Sequence, residues 1–150
     1  MKADKQSQHI TKAISSELAK INNELSARGL LRSTYTFSLI EERIPTIIET
    51  NLVNIVNNQL KSNVFKGKMV INRLIWDTRE HLTDYFNGLD IDKDLHSRCA
   101  QSKLTILEDI DAIEERMIST YIDNRKDVFI KLYSAIMSTL AIILSTLAII

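Results

Sequence analysis

Apolar residues recur along this chain at spacings of three and four, the pattern of one buried face of an α-helix. The first such stripe comprises Ile10, Ile14, Leu18, Ile21 and Leu25. Gly29 follows the stripe, and a glycine in this place is typical of a helix end because it adopts a left-handed conformation readily. The pattern therefore predicts a first helix that stops at Gly29.

Two further apolar-rich stretches close at Gly67 and Gly88, and a fourth begins near Lys93. Three glycine turns predict four helices, and short connections make successive helices antiparallel. The fold class expected is all-α, an up-down bundle of about four helices. In such a bundle the first and fourth helices are neighbours.

Pro45 interrupts the second stretch. A proline either kinks a long helix or occupies the first turn of a new one, and the sequence leaves both open. Residues 35–39 alternate as a strand does, but no partner strand is in view. We therefore expect a helix that starts near Ser33 or Thr34, both good N-cap residues.

The last 19 residues, 132–150, carry no charge, whereas residues 1–131 hold all 38 charged side chains. As a helix this segment spans roughly 28 Å, against about 30 Å for a bilayer core. Because no glycine or proline lies between the fourth stretch and this segment, the fourth helix can continue into it. We expect a cytosolic bundle over residues 1–127 and a C-terminal transmembrane tail anchor over residues 128–150.

Arg125, Lys126 and Lys131 flank the N-terminal side of the apolar segment. The positive-inside rule then places the bundle in the cytoplasm. Residues 1–9 hold no apolar run and predict no signal peptide. The topology expected is a tail-anchored, single-pass membrane protein. The absence of cysteine pairs and of long loops favours a bacterial inner membrane, although a eukaryotic tail anchor has the same pattern.

Small residues recur within the tail at spacings of four, three, four and three. They are Ser134, Ser138, Ala141, Ser145 and Ala148. A period of 3.5 is that of a helix–helix seam, and small residues allow close backbone approach in lipid. The pattern predicts self-association of the tails.

Five carboxylates cluster in the fourth stretch: Glu108, Asp109, Asp111, Glu114 and Glu115. They could face the basic residues of the first helix, dock a basic protein partner, or form a solvated face. Nothing in the sequence selects among these three interpretations.

The remaining composition excludes several kinds of chemistry. A net charge of zero argues against a nucleic-acid binder, and a single cysteine excludes a disulfide framework. Asp90, Asp92 and Asp94 resemble the start of a calcium loop, but Leu95 and Gln101 occupy the positions that need Gly and Glu. We expect no bound metal there.

Other candidate groups have plain structural interpretations. Asp77 and His81 stand one helical turn apart, which most often means a surface hydrogen bond. Cys99 is expected in the core, and Trp76 as a core or interface anchor. With no phosphate loop and no nucleophile motif, we predict no catalytic residue, no cofactor and no enzyme activity.

The sequence therefore favours a non-catalytic membrane protein that self-associates and perturbs the membrane, as bacterial toxins and defence effectors do. Its expected partners are membrane lipid, further copies of the chain and a protein partner, with nucleic acid excluded. One alternative is a membrane-anchored adaptor whose bundle recruits a protein. Another is a subunit of a soluble complex, with the tail buried in an interface.

Overall fold

The chain forms four α-helices in a computed structural model that describes residues 2–30, 33–59 and 67–147. The helices are α1 (Lys2–Ala27), α2 (Thr34–Gln59), α3 (Gly67–Asn87) and α4 (His96–Leu147), with one 3-10 turn (Lys93–Leu95) before α4. The described residues contain no strand. The prediction of an all-α bundle of four helices is confirmed.

The helices do not follow the predicted order around the bundle. Helix α1 packs against α2 and α3, and α4 packs against the same two, so α1 and α4 occupy opposite corners. The expectation that the first and fourth helices are neighbours was therefore wrong. A diagonal step from α2 to α3 is about 13 Å for helices 8–10 Å apart. Seven residues separate α2 from α3, and they can reach roughly 23 Å, so connection length did not require adjacent packing.

One core runs through all four helices. All five residues of the first stripe are buried in it, as are Ile44, Ile48 and Leu52 of α2. Helix α4 contributes a run of buried residues that ends at Tyr121. The predicted buried face of α1 is confirmed. On α3 two large apolar side chains lie outside the core, since Met69 is 65% exposed and Trp76 is 66% exposed.

Helix α1 ends where the sequence predicted. Gly29 has a φ of +67°, and Leu30 N–H donates to the Leu25 carbonyl at 2.9 Å while Gly29 N–H donates to Ser26 at 3.1 Å. These two bonds satisfy carbonyls that a helix end otherwise leaves unpaired.

Helix α2 begins at Thr34 and continues to Gln59 with Pro45 inside it. A split at the proline is therefore not found. At the start of the helix, Thr36 accepts a hydrogen bond from Ser33 N–H and donates one to the Leu30 carbonyl, both at 3.3 Å. Thr36 thus performs the reciprocal half of a capping box.

Two glycines frame α3. Gly88 closes the helix as predicted, and its N–H donates to the Asp84 carbonyl at 2.9 Å. Gly67 was expected to close the second stretch, but it is instead the first residue of α3. Its N–H donates to Tyr121 Oη at 3.2 Å, and a Cβ at this position would overlap the Tyr121 ring. Gly67 therefore allows the start of α3 to approach α4 closely.

Candidate functional site

Helix α4 extends far beyond the bundle. It has 52 residues, and Tyr121 is its last core residue. The predicted continuity of the helix past residues 123–128 is confirmed. The part after Tyr121, residues 122–147, extends roughly 39 Å as an α-helix. We refer to residues 128–147 as the α4 extension.

The α4 extension carries large apolar side chains that no part of the bundle covers. Each of the following is 47–67% exposed: Val128, Ile130, Leu132, Tyr133, Ile136, Met137, Leu140, Ile142 and Ile143. At 100° per residue they occupy about two-thirds of the helix circumference. A helix that is apolar on most of its sides is normally covered by protein or by lipid.

The sequence predicted a transmembrane helix over residues 128–150. Among the residues that the structure describes, no helix combines the length and the apolar character needed to cross a bilayer. Residues 148–150 lie outside the described ranges.

The predicted self-association residues occupy the side of the extension that lacks large apolar groups. Ser134, Ser138 and Ala141 are exposed there, Ser145 lies further along α4, and Ala148 is outside the described residues. Ser138 Oγ donates to the Ser134 carbonyl at 2.8 Å. The hydroxyl is therefore satisfied within the helix, as an apolar environment requires.

The junction, residues 121–131, runs from the last described core residue of α4 into the first turn of the extension. Arg125 stacks over the Tyr121 ring with its guanidinium carbon 4.6 Å from the ring centroid. Nε and Nη2 of Arg125 are covered from water and have no hydrogen-bond partner in the described part of the chain. Lys126 pairs with Asp123 at 3.1 Å, and Lys131 is exposed. The three predicted flanking cations therefore have three different environments.

The acidic cluster of α4 faces α3 rather than α1. Arg79 of α3 pairs with Asp111 and lies 3.4 Å from Glu114. Glu108 and Glu115 are exposed, and Asp109 is half-buried. In the described part of the chain, Arg79 thus pairs with two of the five carboxylates.

Two basic residues, one in α1 and one directly after it, pair with glutamates of α1. Lys20 pairs with Glu17 at 3.0 Å, and Arg28 with Glu24 at 3.2 Å. Arg43 of α2 also reaches Glu24 at 3.2 Å. The interpretation in which α1 faces the acidic cluster was wrong because α1 is diagonal to α4.

Helices α2 and α4 are joined by an ion pair that the sequence pattern did not reveal. Arg98 donates from Nη1 and Nη2 to the two oxygens of Glu41, at 2.6 and 2.7 Å. This bond from Arg98 lowers the pKa of Glu41. A second pair, Arg116 with Glu49, lies further along the same helices at 3.1 Å. Long-range pairs of this kind need the helix order, which periodicity does not contain.

Asp77 and His81, which the sequence places one helical turn apart, bind different partners in the structure. Asp77 pairs with Arg73 at 3.0 Å, whereas His81 shares a hydrogen bond with Ser15 of α1 at 3.0 Å. Burial raises the pKa of the Cys99 thiol, so the thiol is the stable form. Within the described ranges, no three His, Cys, Asp or Glu residues are grouped to hold a metal.

A cleft of about 330 Å³ opens at the end of the bundle away from the α4 extension. Asn22, Asn23, Tyr85 and Asp90 line it together with apolar loop residues. Burial raises the pKa of Tyr85, an effect that the hydrogen bond with Asn22 partly offsets. The cleft offers hydrogen bonds, but its described lining contains no histidine, cysteine or basic residue.

The outer face of α3 presents a second apolar surface, much smaller than the extension. Trp76 is 66% exposed and Met69, seven residues earlier, is on the same side of the helix. The sequence placed Trp76 in the core or at an interface. The structure excludes the core.

The α4 extension is therefore the feature of this molecule that most needs a partner outside the described bundle. Comparison with protein-family profiles, with curated proteins and with solved structures finds no match to this chain.

Proposed function

We propose that this protein is a non-catalytic membrane protein, held in a lipid bilayer by the α4 extension and the residues that follow it. The observation that carries this proposal is the exposure of large apolar side chains around about two-thirds of the helix circumference. None of these side chains belongs to the bundle core, whose last described residue on α4 is Tyr121.

Lipid fits this distribution better than a single protein partner does. A partner helix covers one stripe, whereas hydrocarbon chains contact every side of a helix at once. In the sequence the charge-free run counts 19 residues, from 132 to 150. A helix of that length measures roughly 28 Å, close to the thickness of a bilayer core.

We further propose that several copies associate through the small-residue side of the extension and perturb the membrane together. Ser134, Ser138 and Ala141 leave a shallow face on which a second helix can approach closely. The Ser138 hydroxyl is already bonded within its own helix, so the face can pack without an unpaired donor. Assembly around this polar stripe supports an effector that permeabilises membranes.

The membrane proposal is tested by flotation of the full chain with lipid vesicles. Wild-type protein is expected to float, and Leu140→Lys to lose flotation, because a lysine at the centre of a span costs about 2.5–3.5 kcal/mol. Ser119→Lys adds the same charge to α4 within the bundle, at an exposed site, and is expected to float as wild type does. Wild-type protein that stays at the bottom of the gradient contradicts the proposal.

The effector proposal is tested by two further measurements on the same vesicles. Crosslinking is expected to capture oligomers of wild type and of Ile143→Leu, and to lose them in Ala141→Leu, which fills the shallow face. Dye release is expected for wild type and Ile143→Leu, which form oligomers, and not for Ala141→Leu. Flotation without dye release at any protein density would contradict the effector proposal. The extension would then act only as a membrane anchor.

The outer face of α3 favours a second candidate, an adaptor that recruits a protein to the membrane. An exposed tryptophan such as Trp76, beside Met69 and Arg73, has the composition of an interface hot spot. Replacing the apolar tail with an unrelated membrane-spanning helix distinguishes the two. An adaptor keeps its activity after the exchange, and an effector that relies on its own seam loses it.

A further inference from the structure

Arg125 has a geometry that its own chain does not explain. Its guanidinium carbon lies over the Tyr121 ring, 4.6 Å from the ring centroid, so the side chain is held at the junction. Nε and Nη2 are covered from water and lack a hydrogen-bond acceptor among the described residues. Burying donors of a charged group without an acceptor is costly, and a bound ion is one of the explanations for such a group.

Among the described residues, no carboxylate pairs with the Arg125 guanidinium. Asp123 is paired with Lys126 at 3.1 Å. Asp127 and Lys131 are exposed to solvent on other sides of the helix. The planar fork of an arginine binds anions in a bidentate way, and both carboxylate and phosphate oxygens fit it.

The depth of Arg125 selects between these two anions. It lies seven positions before Leu132, where the charge-free run begins, a rise of about 10 Å along the helix. The polar layer on each side of a bilayer is about 5–8 Å thick. An arginine side chain reaches several ångströms toward the interface, which brings this guanidinium to the level of lipid phosphates.

We propose that Arg125 binds the phosphodiester of an anionic phospholipid, moving off the Tyr121 ring to do so; this inference rests on the proposed membrane function. A headgroup without its own cation is preferred, because no ammonium group then competes with Arg125 for the phosphate. In the absence of lipid, the contact with the Tyr121 ring keeps the Arg125 guanidinium at the junction. The site makes insertion sensitive to the charge of the membrane.

Vesicle binding by the full chain tests the site. The two compositions are phosphatidylcholine alone and phosphatidylcholine mixed with phosphatidylglycerol. Wild type is expected to bind the mixed vesicles more tightly. Arg125→Gln is expected to lose that preference by about tenfold or more, as the loss of charge-assisted hydrogen bonds implies. Arg125→Lys keeps the charge but not the fork, and is expected to lose nearly as much.

Lys126→Gln is the matched control. It removes one positive charge from the neighbouring position, and a charge near an anionic surface contributes a factor of about five. Equal losses in Arg125→Gln and Lys126→Gln would overturn the inference, since the preference would then be a property of net charge alone. An unchanged preference in Arg125→Gln would overturn it as well.

A free phosphate ion has the same chemistry and is the other possible source. Inorganic phosphate, added to the protein in phosphatidylcholine vesicles, is expected not to raise the melting temperature of the bundle. Stabilisation by phosphate in wild type but not in Arg125→Gln would overturn the lipid assignment. Loss of binding to every vesicle contradicts the proposed function itself, whereas flotation with equal affinity for both compositions overturns this inference alone.

Discussion

Gly67 and Tyr121 meet where α3 begins and α4 leaves the bundle. The N–H of Gly67 donates to Tyr121 Oη at 3.2 Å, and the tyrosine ring occupies the space that a Cβ on residue 67 would need. The contact closes the core at its end nearest the α4 extension. It also places the ring on which Arg125 stacks.

Gly67→Ala is expected to destabilise the bundle by about 1–3 kcal/mol, because the added methyl must displace a buried ring. The usual gain in helix propensity from Gly to Ala, about 1 kcal/mol, offsets only part of this cost. The free energy of unfolding, measured by urea denaturation in neutral detergent, checks the prediction. In a Tyr121→Ala background the same substitution is expected to cost nothing, and an equal cost in both backgrounds would show that the ring is not the cause.

Acid is expected to weaken the contact between α2 and α4. Arg98 lowers the pKa of Glu41 in the folded protein, so the folded state holds this proton less tightly than the unfolded chain. The stabilisation from Glu41 is therefore complete above the ordinary glutamate pKa and is lost as the pH falls through the lowered value.

Glu41→Gln removes this contribution at neutral pH. The side chains of Glu41 and Arg98 are partly exposed, at 21% and 28%. We therefore expect the free energy of unfolding to fall by about 1 kcal/mol or less. Urea denaturation from neutral to acidic pH should give wild-type and Glu41→Gln curves that converge in acid. Glu49→Gln is the control, since its partner Arg116 is more exposed. Curves for Glu41→Gln that run parallel to wild type at every pH would contradict the assignment.

We expect the stability of the bundle not to depend on the side chains of the α4 extension. Ile110 is fully buried, and Ile136, on the same helix, is 50% exposed. Ile110→Ala should cost about 2–5 kcal/mol, whereas Ile136→Ala should change the unfolding free energy by no more than about 0.5 kcal/mol. Denaturation in neutral detergent measures both. A large effect of Ile136→Ala would mean that the extension packs against the bundle.

The start of α2 depends on the hydroxyl of Thr36. Thr36→Val keeps the shape of the side chain but removes the acceptor for Ser33 N–H and the donor to the Leu30 carbonyl. We expect a loss of about 1 kcal/mol. Thr46→Val, at an exposed position within the same helix, is the control and should be close to neutral. Thermal unfolding of both variants measures the difference, and equal melting temperatures would show that the Thr36 bonds contribute little.

Local features of this fold were readable from residue patterns. The stripe from Ile10 to Leu25 predicted the buried face of α1, because a helix repeats every 3.6 residues and its core side must be apolar. Gly29 predicted the end of α1, because the left-handed conformation found there is one that glycine adopts without strain. The absence of glycine and proline after residue 121 predicted that α4 continues beyond the bundle. Each of these depends only on neighbours within one or two turns.

Tertiary structure alone decided how the helices stand to one another. Any amphipathic helix can pack its apolar face against several neighbours, so periodicity does not say that α1 is diagonal to α4. For the same reason the sequence could not pair Arg98 with Glu41, 57 positions away, or direct Arg79 to the acidic cluster. Gly67 shows the limit most clearly. Along the chain it resembled a turn, but it is required because packing brings a distant tyrosine ring against the backbone.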